Sequence, residues 1–206
     1  MNKIAFIAPD KNIATIAENT CKKYNLEMDV FEGLMEEAIE ITKKLSYQDY
    51  KVFISRGGTA LLLKGVFADH VVELKMALED ALTAIEKALN YGKNIEFISF
   101  SNHLQGFESL GPLLNLNISQ TVLNKSIDAK AVLQKAIDNN VDVIIGGALQ
   151  IKMAKEINFP AVPLGTSPNA ILSAYHEAKR LLSVILTHEQ KEQEIHTILD
   201  SAGEGF

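Results

Sequence analysis

The chain has 206 residues, 47% of them hydrophobic and 22% charged, which is ordinary for a globular protein and enough to bury a core without a disulfide or metal staple. Its formal net charge of −6 argues against a nucleic-acid grip by this segment, which would call for clustered Lys and Arg, and says nothing of DNA contacts elsewhere in a longer chain. The single cysteine, Cys21, excludes an intrachain disulfide, and with no run near the ~20 apolar residues of a membrane span the expected location is the cytoplasm.

Met1 to Pro9 reads as a short buried strand, Ile4 to Ile7, rather than a signal peptide. A helix follows over Ile13 to Tyr24, then a strand at Met28 to Phe31 and a helix through Ala38, Ile39, Ile41 and Leu45. A third strand, Val52 to Ile54, runs into Ser55-Arg56-Gly57-Gly58-Thr59 and a short helix at Leu61 to Leu63. Val71 to Leu74 makes a fourth, followed by a longer helix whose Leu78, Leu82, Ile85 and Leu89 share one face by spacing. Uninterrupted apolar strands separated by helices predict a parallel sheet covered on both faces.

The same order then begins again. Ile95 to Ile98 echoes Ile4 to Ile7, and Val143-Ile144-Ile145-Gly146-Gly147 echoes the third strand with its glycine pair. Val162-Pro163-Leu164, with the helix through Leu172, Ala174 and Ala178, echoes the fourth, at a shift of about 90 residues throughout. Either the chain is an internal duplication, or it shows the self-likeness of any alternating α/β sequence. Duplication predicts an α/β fold of two Rossmann-like parallel-sheet lobes with a cleft between them, because such sheets bind ligands at the carboxyl ends of their strands. The lobes are expected at 1–76 with 170–186, and at 77–169, with a charged helical linker over 187–206.

Ser55-Arg56-Gly57-Gly58-Thr59 is the most informative stretch. Glycines allow close backbone approach, a helix N-terminus favours an anion, and Ser55, Arg56 and Thr59 add donors. The alternative is a plain glycine turn with Thr59 as a cap. Gly146 and Gly147 form the matching turn without a flanking Arg or hydroxyl. Ser167 and Asn169, before and within the first turn of a helix, are further ligand candidates, though capping suits Ser167 equally. Ser99, Ser101 and Asn102 stand at a strand end in the second half, and of these Asn102 joins the candidate set. No catalytic set assembles: the five histidines are scattered, Cys21 is alone, and neither a zinc-hydrolase pattern nor a nucleophile elbow occurs. No metal or cofactor is expected.

On the run Val52 to Ala60 with its Ser-Arg-Gly-Gly-Thr-Ala, the paired Val71-Val72, Asp80, the second glycine pair and Ile171, the chain resembles the receptor domain of propionate catabolism activators, which are NtrC-type modular transcriptional regulators. The resemblance spans roughly residues 3 to 186 and implies a fold like that of periplasmic binding proteins. It also implies an organic acid such as methylcitrate in the cleft, and signalling to ATPase and DNA-binding regions further along a longer, homo-oligomeric protein in the transcription-regulation and phosphorelay class. Ala77 and Leu78 replace the small polar residues usual before the Asp-bearing helix, and Thr166 to Ile171 departs from the family's closing pattern. Ile198 to Phe206 resembles the opening of a PAS domain, against the plainer reading of a frayed tail. The leading expectation is therefore a sensor module, not an enzyme. An isomerase or lyase acting on a small hydroxy acid, and a dimerising module with a vestigial cleft, are the rivals.

Overall fold

The computed structural model describes residues 3–46, 50–100, 106–123 and 129–203. The first half runs β1 (Lys3–Ala8), α1 (Lys11–Tyr24), β2 (Asp29–Glu32), α2 (Glu36–Ser46), β3 (Tyr50–Ser55), α3 (Gly57–Phe67), β4 (Val71–Glu73) and α4 (Leu78–Ala88). The second runs β5 (Asn94–Phe100), α5 (Leu110–Leu114), β6 (Asn117–Leu123), α6 (Ala129–Asp138), β7 (Val143–Gly146), α7 (Ala148–Glu156), β8 (Ala161–Pro163) and α8 (Pro168–Gly203). Among the described residues no helix is long and apolar enough to cross a membrane.

Two four-stranded sheets form, β2-β1-β3-β4 and β6-β5-β7-β8, with every pairing parallel. The two lobes are Rossmann-like and share one strand order, so the duplication holds in three dimensions. Both faces of each sheet are covered, which is why the strands carry unbroken apolar runs. In β1, Ile4, Phe6 and Ala8 pack with α1 and α8, while Ala5 and Ile7 pack with α2 and α3. The helices are delimited by local chemistry. Asp10 Oδ1 accepts from the Ile13 N–H at 3.0 Å to start α1, and Asn25 in the left-handed region ends it. Glu36 and Glu37 open α2 while Lys43 and Lys44 close it, as the helix dipole favours.

The last helix of each half crosses over. α4 buries Ala81, Ala84, Ile85 and Ala88 in the core of the second sheet. α8 lays Ala170, Ile171, Ala174, Tyr175, Ala178 and Leu182 on the first. At ~1.5 Å per residue, the 36 residues of α8 span about 54 Å.

The face of α4 is not the one expected from its leucines. Leu78, Leu82 and Leu89 are 53%, 42% and 46% exposed, and the alanine stripe faces the sheet instead. Both stripes have helical spacing and share Ile85, but small side chains let the helix lie closer to the strands. Leu82→Gln should therefore change stability by no more than about 0.5 kcal/mol in urea melts, as an exposed position does.

The start of β3, an interior strand of the first sheet, carries a titrating group. The Tyr50 hydroxyl donates to Asp29 Oδ2 at 2.7 Å, linking the start of β3 to β2 across β1. Burial first, then that hydrogen bond and the Asp29 charge, push the phenol up from its ordinary 10.0 to about 12. A raised folded-state pKa stabilises below the unfolded value and is lost as pH rises. Stability should hold to about pH 10 and fall between about 10 and about 12. Tyr50→Phe should lose on the order of 1 kcal/mol at pH ~8 and show a shallower alkaline decline in denaturant melts.

Candidate functional site

The turn after β3 is built from side chains with distant partners. Ser55 ends the strand wholly buried, and its hydroxyl donates to the Ile7 carbonyl of β1 at 2.8 Å. Arg56 is extended and caps α3, and Gly57 follows with φ +57, a left-handed conformation that a Cβ would strain. Gly58 lies outside that region and is constrained otherwise: an added Cβ would stand 2.5 Å from the ring of Phe100, which comes from the other lobe. The Thr59 hydroxyl accepts from the Met35 N–H at 3.1 Å, fixing the loop that enters α2.

Arg56 is the unusual member. It is 5% exposed, and its Nη1 donates to the Gly165 carbonyl between β8 and α8 at 2.7 Å. Nη2 is buried with no partner among the described residues. Burial pushes the guanidinium below its ordinary pKa, opposed by the charges of Asp80 and Asp10. Arginine retains its charge under such shifts. Burial raises the Asp80 carboxyl, while the hydrogen bond from the Ala77 N–H at 2.9 Å, the Arg56 charge and the Ser167 hydroxyl hold it down. Asp80 thus joins the N-termini of the two crossing helices beside Arg56.

In the second lobe, strand register corrects the expected glycine match. Ile54 stands opposite Val72 as Ile145 stands opposite Val162, so Gly146 takes the place of Ser55 and Gly147 that of Arg56. The two glycine pairs are offset rather than superposed. Gly147 caps α7 in extended conformation. A Cβ on Gly146 would meet the Gln150 side chain at 2.7 Å, and one on Gly147 would meet Gln150 Oε1 at 3.2 Å. Gln150 therefore folds back over the turn, 3% exposed, with its Nε2 buried and unpartnered among the described residues.

These two turns meet. A cavity of about 30 Å³, room for roughly one water, is lined by Arg56, Gly57, Gly58 and Thr59 from one lobe and by Ser99, Phe100, Gly147 and Gln150 from the other. The N-termini of α3 and α7 both border it, and Ile13, Leu34, Met35, Leu149 and Leu164 supply apolar wall. Leu34, Met35, Leu61 and Leu62 join Phe100, Leu149 and Met153 in one apolar cluster across the lobes, so this is a closed cleft.

Ser55 and Gly146 stand behind the lining, in the strand ends. Ser167 and Asn169 line a separate open groove of about 400 Å³ with Asp80, Thr83, Lys87 and Thr166. Ser167 Oγ also accepts from the Ala170 N–H at 3.3 Å, the capping geometry. Asn102 lies outside the described residues. Gln150 and Thr166 were not foreseen; the latter is 8% exposed with its hydroxyl unpartnered among the described residues. Gln150 sits at the third position of a helix after a glycine turn, a signal too common to single out. Among the described residues no group of three or more His, Cys, Asp or Glu is placed to hold a metal ion.

Comparison with known proteins agrees with this architecture. The family model described as propionate catabolism activator matches residues 22–187. An NtrC family transcriptional regulator from Clostridium acetobutylicum superposes with a TM-score of 0.79 at 17% identity, covering 89% of this chain and 97% of that one. At that identity the likeness is one of fold. A putative LacI-family repressor from Corynebacterium glutamicum aligns over 87% of this chain and 88% of that one at 14% identity, with a TM-score of 0.35. A substrate-binding protein of an ABC transporter from Desulfitobacterium hafniense aligns over 82% and 68% at 14% identity, with a TM-score of 0.31. Those two superpositions are too loose to argue from. The family match covers most of the chain and both of its lobes, and the chain belongs to the propionate catabolism activator family, as a regulatory sensing domain.

Proposed function

We propose that the domain senses a small organic acid anion in the interlobe cleft and passes its occupancy to downstream ATPase and DNA-binding regions. One observation carries the reading: Arg56 Nη2, a charged donor, is buried beside the cavity without a partner among the described residues, where an unmade hydrogen bond is costly. A carboxylate oxygen there would satisfy it, with the two helix N-termini adding favourable field.

The same guanidinium holds the Gly165 carbonyl and balances Asp80, so the ligand would act where α4 and α8 change lobes. A ligand biases such an equilibrium only by binding the closed form better than the open one. The division at 77 and 170, and a linker role for the end of α8, belong to the same proposal. So do Ser167 and Asn169 as secondary contacts from the groove, cytoplasmic location and the absence of catalysis.

Thermal unfolding with small carboxylates, set against matched neutral sugars, tests it. A ligand at about 100 times its Kd should stabilise by about 2.7 kcal/mol, several degrees in Tm. Stabilisation by the sugars alone would overturn the reading.

A further inference from the structure

We infer that the anion carries a single carboxylate on a short apolar body, and that Gln150 reads its second oxygen. This deepens the reading above and rests on it. Charge decides the first part. Among the described residues that line the cavity, Arg56 is the one charged side chain. Its nearest charged influences are Asp80 and Asp10, both negative. One carboxylate is met by one guanidinium, the single cationic side chain among the described lining residues. A di- or tricarboxylate would bring further charges into a closed apolar space toward two aspartates, with no second cation among the described lining residues to meet them.

The wall decides the body. Pro9, Ile13, Leu34, Met35, Leu149 and Leu164 surround the polar groups, so whatever follows the carboxylate meets hydrocarbon. Its length is limited by the Phe100 ring, which rests on Gly58 and joins the lobes. The closed cavity has room for about one water, so even a chain of a few carbons must part the lobes slightly to enter, and a bulkier one must part them further.

Gln150 decides the second oxygen. Its Nε2 is a donor from the opposite lobe, nine-tenths buried, bordering the same cavity and unpartnered among the described residues. A carboxylate shared between Arg56 Nη2 and Gln150 Nε2 would satisfy both orphaned donors and bind the lobes to each other. This pairing selects an oxyanion with two acceptors in one plane.

Calorimetric titration of the 206-residue chain with butyrate, butyramide, succinate and tricarballylate tests the inference. Butyrate should bind about tenfold or more tightly than succinate or tricarballylate, with butyramide weaker still. Gln150→Leu should weaken butyrate by about tenfold or more while leaving the circular dichroism and ligand-free Tm in place, since the lost donor has no partner among the described residues. Tighter binding of tricarballylate would overturn the single-charge inference and leave the anion reading standing. Equal binding of butyramide and butyrate would overturn the anion reading itself. Butyrate affinity unchanged in a folded Gln150→Leu would remove Gln150 from the site, and heat from none of the four at millimolar concentration would overturn both readings.

Discussion

Arg56→Met is expected to yield a folded protein whose carboxylate affinity has dropped by about tenfold to a hundredfold. The methionine keeps the buried apolar stem and removes the charge. Three changes oppose one another in the ligand-free protein. The Gly165 carbonyl loses its 2.7 Å donor, and Asp80 loses the positive charge that offsets its burial, both of which destabilise. Against them, the variant no longer buries Nη2 without a partner among the described residues. The net cost should be on the order of 1–3 kcal/mol, within what a typical domain tolerates. Asp80, already raised by burial, should then titrate higher still, so the variant's stability deficit should shrink as pH falls through the Asp80 titration. Arg56→Lys is the companion: it restores the charge without the fork and should recover only part of the affinity. Calorimetric titration of both, with circular dichroism for folding, reads the outcome. Full affinity in the methionine variant would move the anion site away from Arg56.

The second expected result concerns the lobe contact. Gly58→Ala places a Cβ about 2.5 Å from the Phe100 ring, closer than nonbonded carbons approach, so ring or lobe must shift. Overpacking of this kind costs about 1–3 kcal/mol. Because Gly58 is outside the positive-φ region, none of that cost should come from the backbone. Phe100→Leu shortens the opposing side chain and should recover most of the loss in the double variant, a coupling that a double-mutant cycle measures. If the two substitutions simply add, the contact does not hold the lobes. Hydrogen exchange at the start of α3 should rise in the single Gly58 variant and return toward normal in the double.

Much of the frame was legible in the residues. Apolar runs such as Ile4 to Ile7 and Val143 to Ile145 marked doubly covered strands, and their repetition at about 90 residues gave two lobes. Which face of α4 packs was not legible, because Leu78-Leu82-Ile85-Leu89 and Ala81-Ala84-Ile85-Ala88 are both proper helical stripes. Hydrophobicity favours the first and closeness of approach the second. Nor could the sequence say what Ser55 and Thr59 bond to. Their partners, Ile7 and Met35, are 48 and 24 residues away. The Arg56 turn stood out because a glycine pair opening a helix directly after a buried strand, flanked by an arginine and two hydroxyls, offers an anion several donors, although a plain glycine turn fits the same spacing. Gln150 did not, since glutamine in a first helical turn has many.

The crossing of α8 also bears on how the protein is made. During synthesis the first sheet is complete by residue 73, yet the helix that covers Phe6, Ile54 and Val72 begins at residue 168. At roughly 5–20 residues per second, that half-bare sheet waits on the order of 5–20 s at the ribosome before its cover arrives. Contacts between elements this distant in the chain also slow folding after release. The first lobe is thus the half of the nascent chain whose apolar sheet stays open longer, while the second, which receives α4 before its own strands emerge, can close as it is translated.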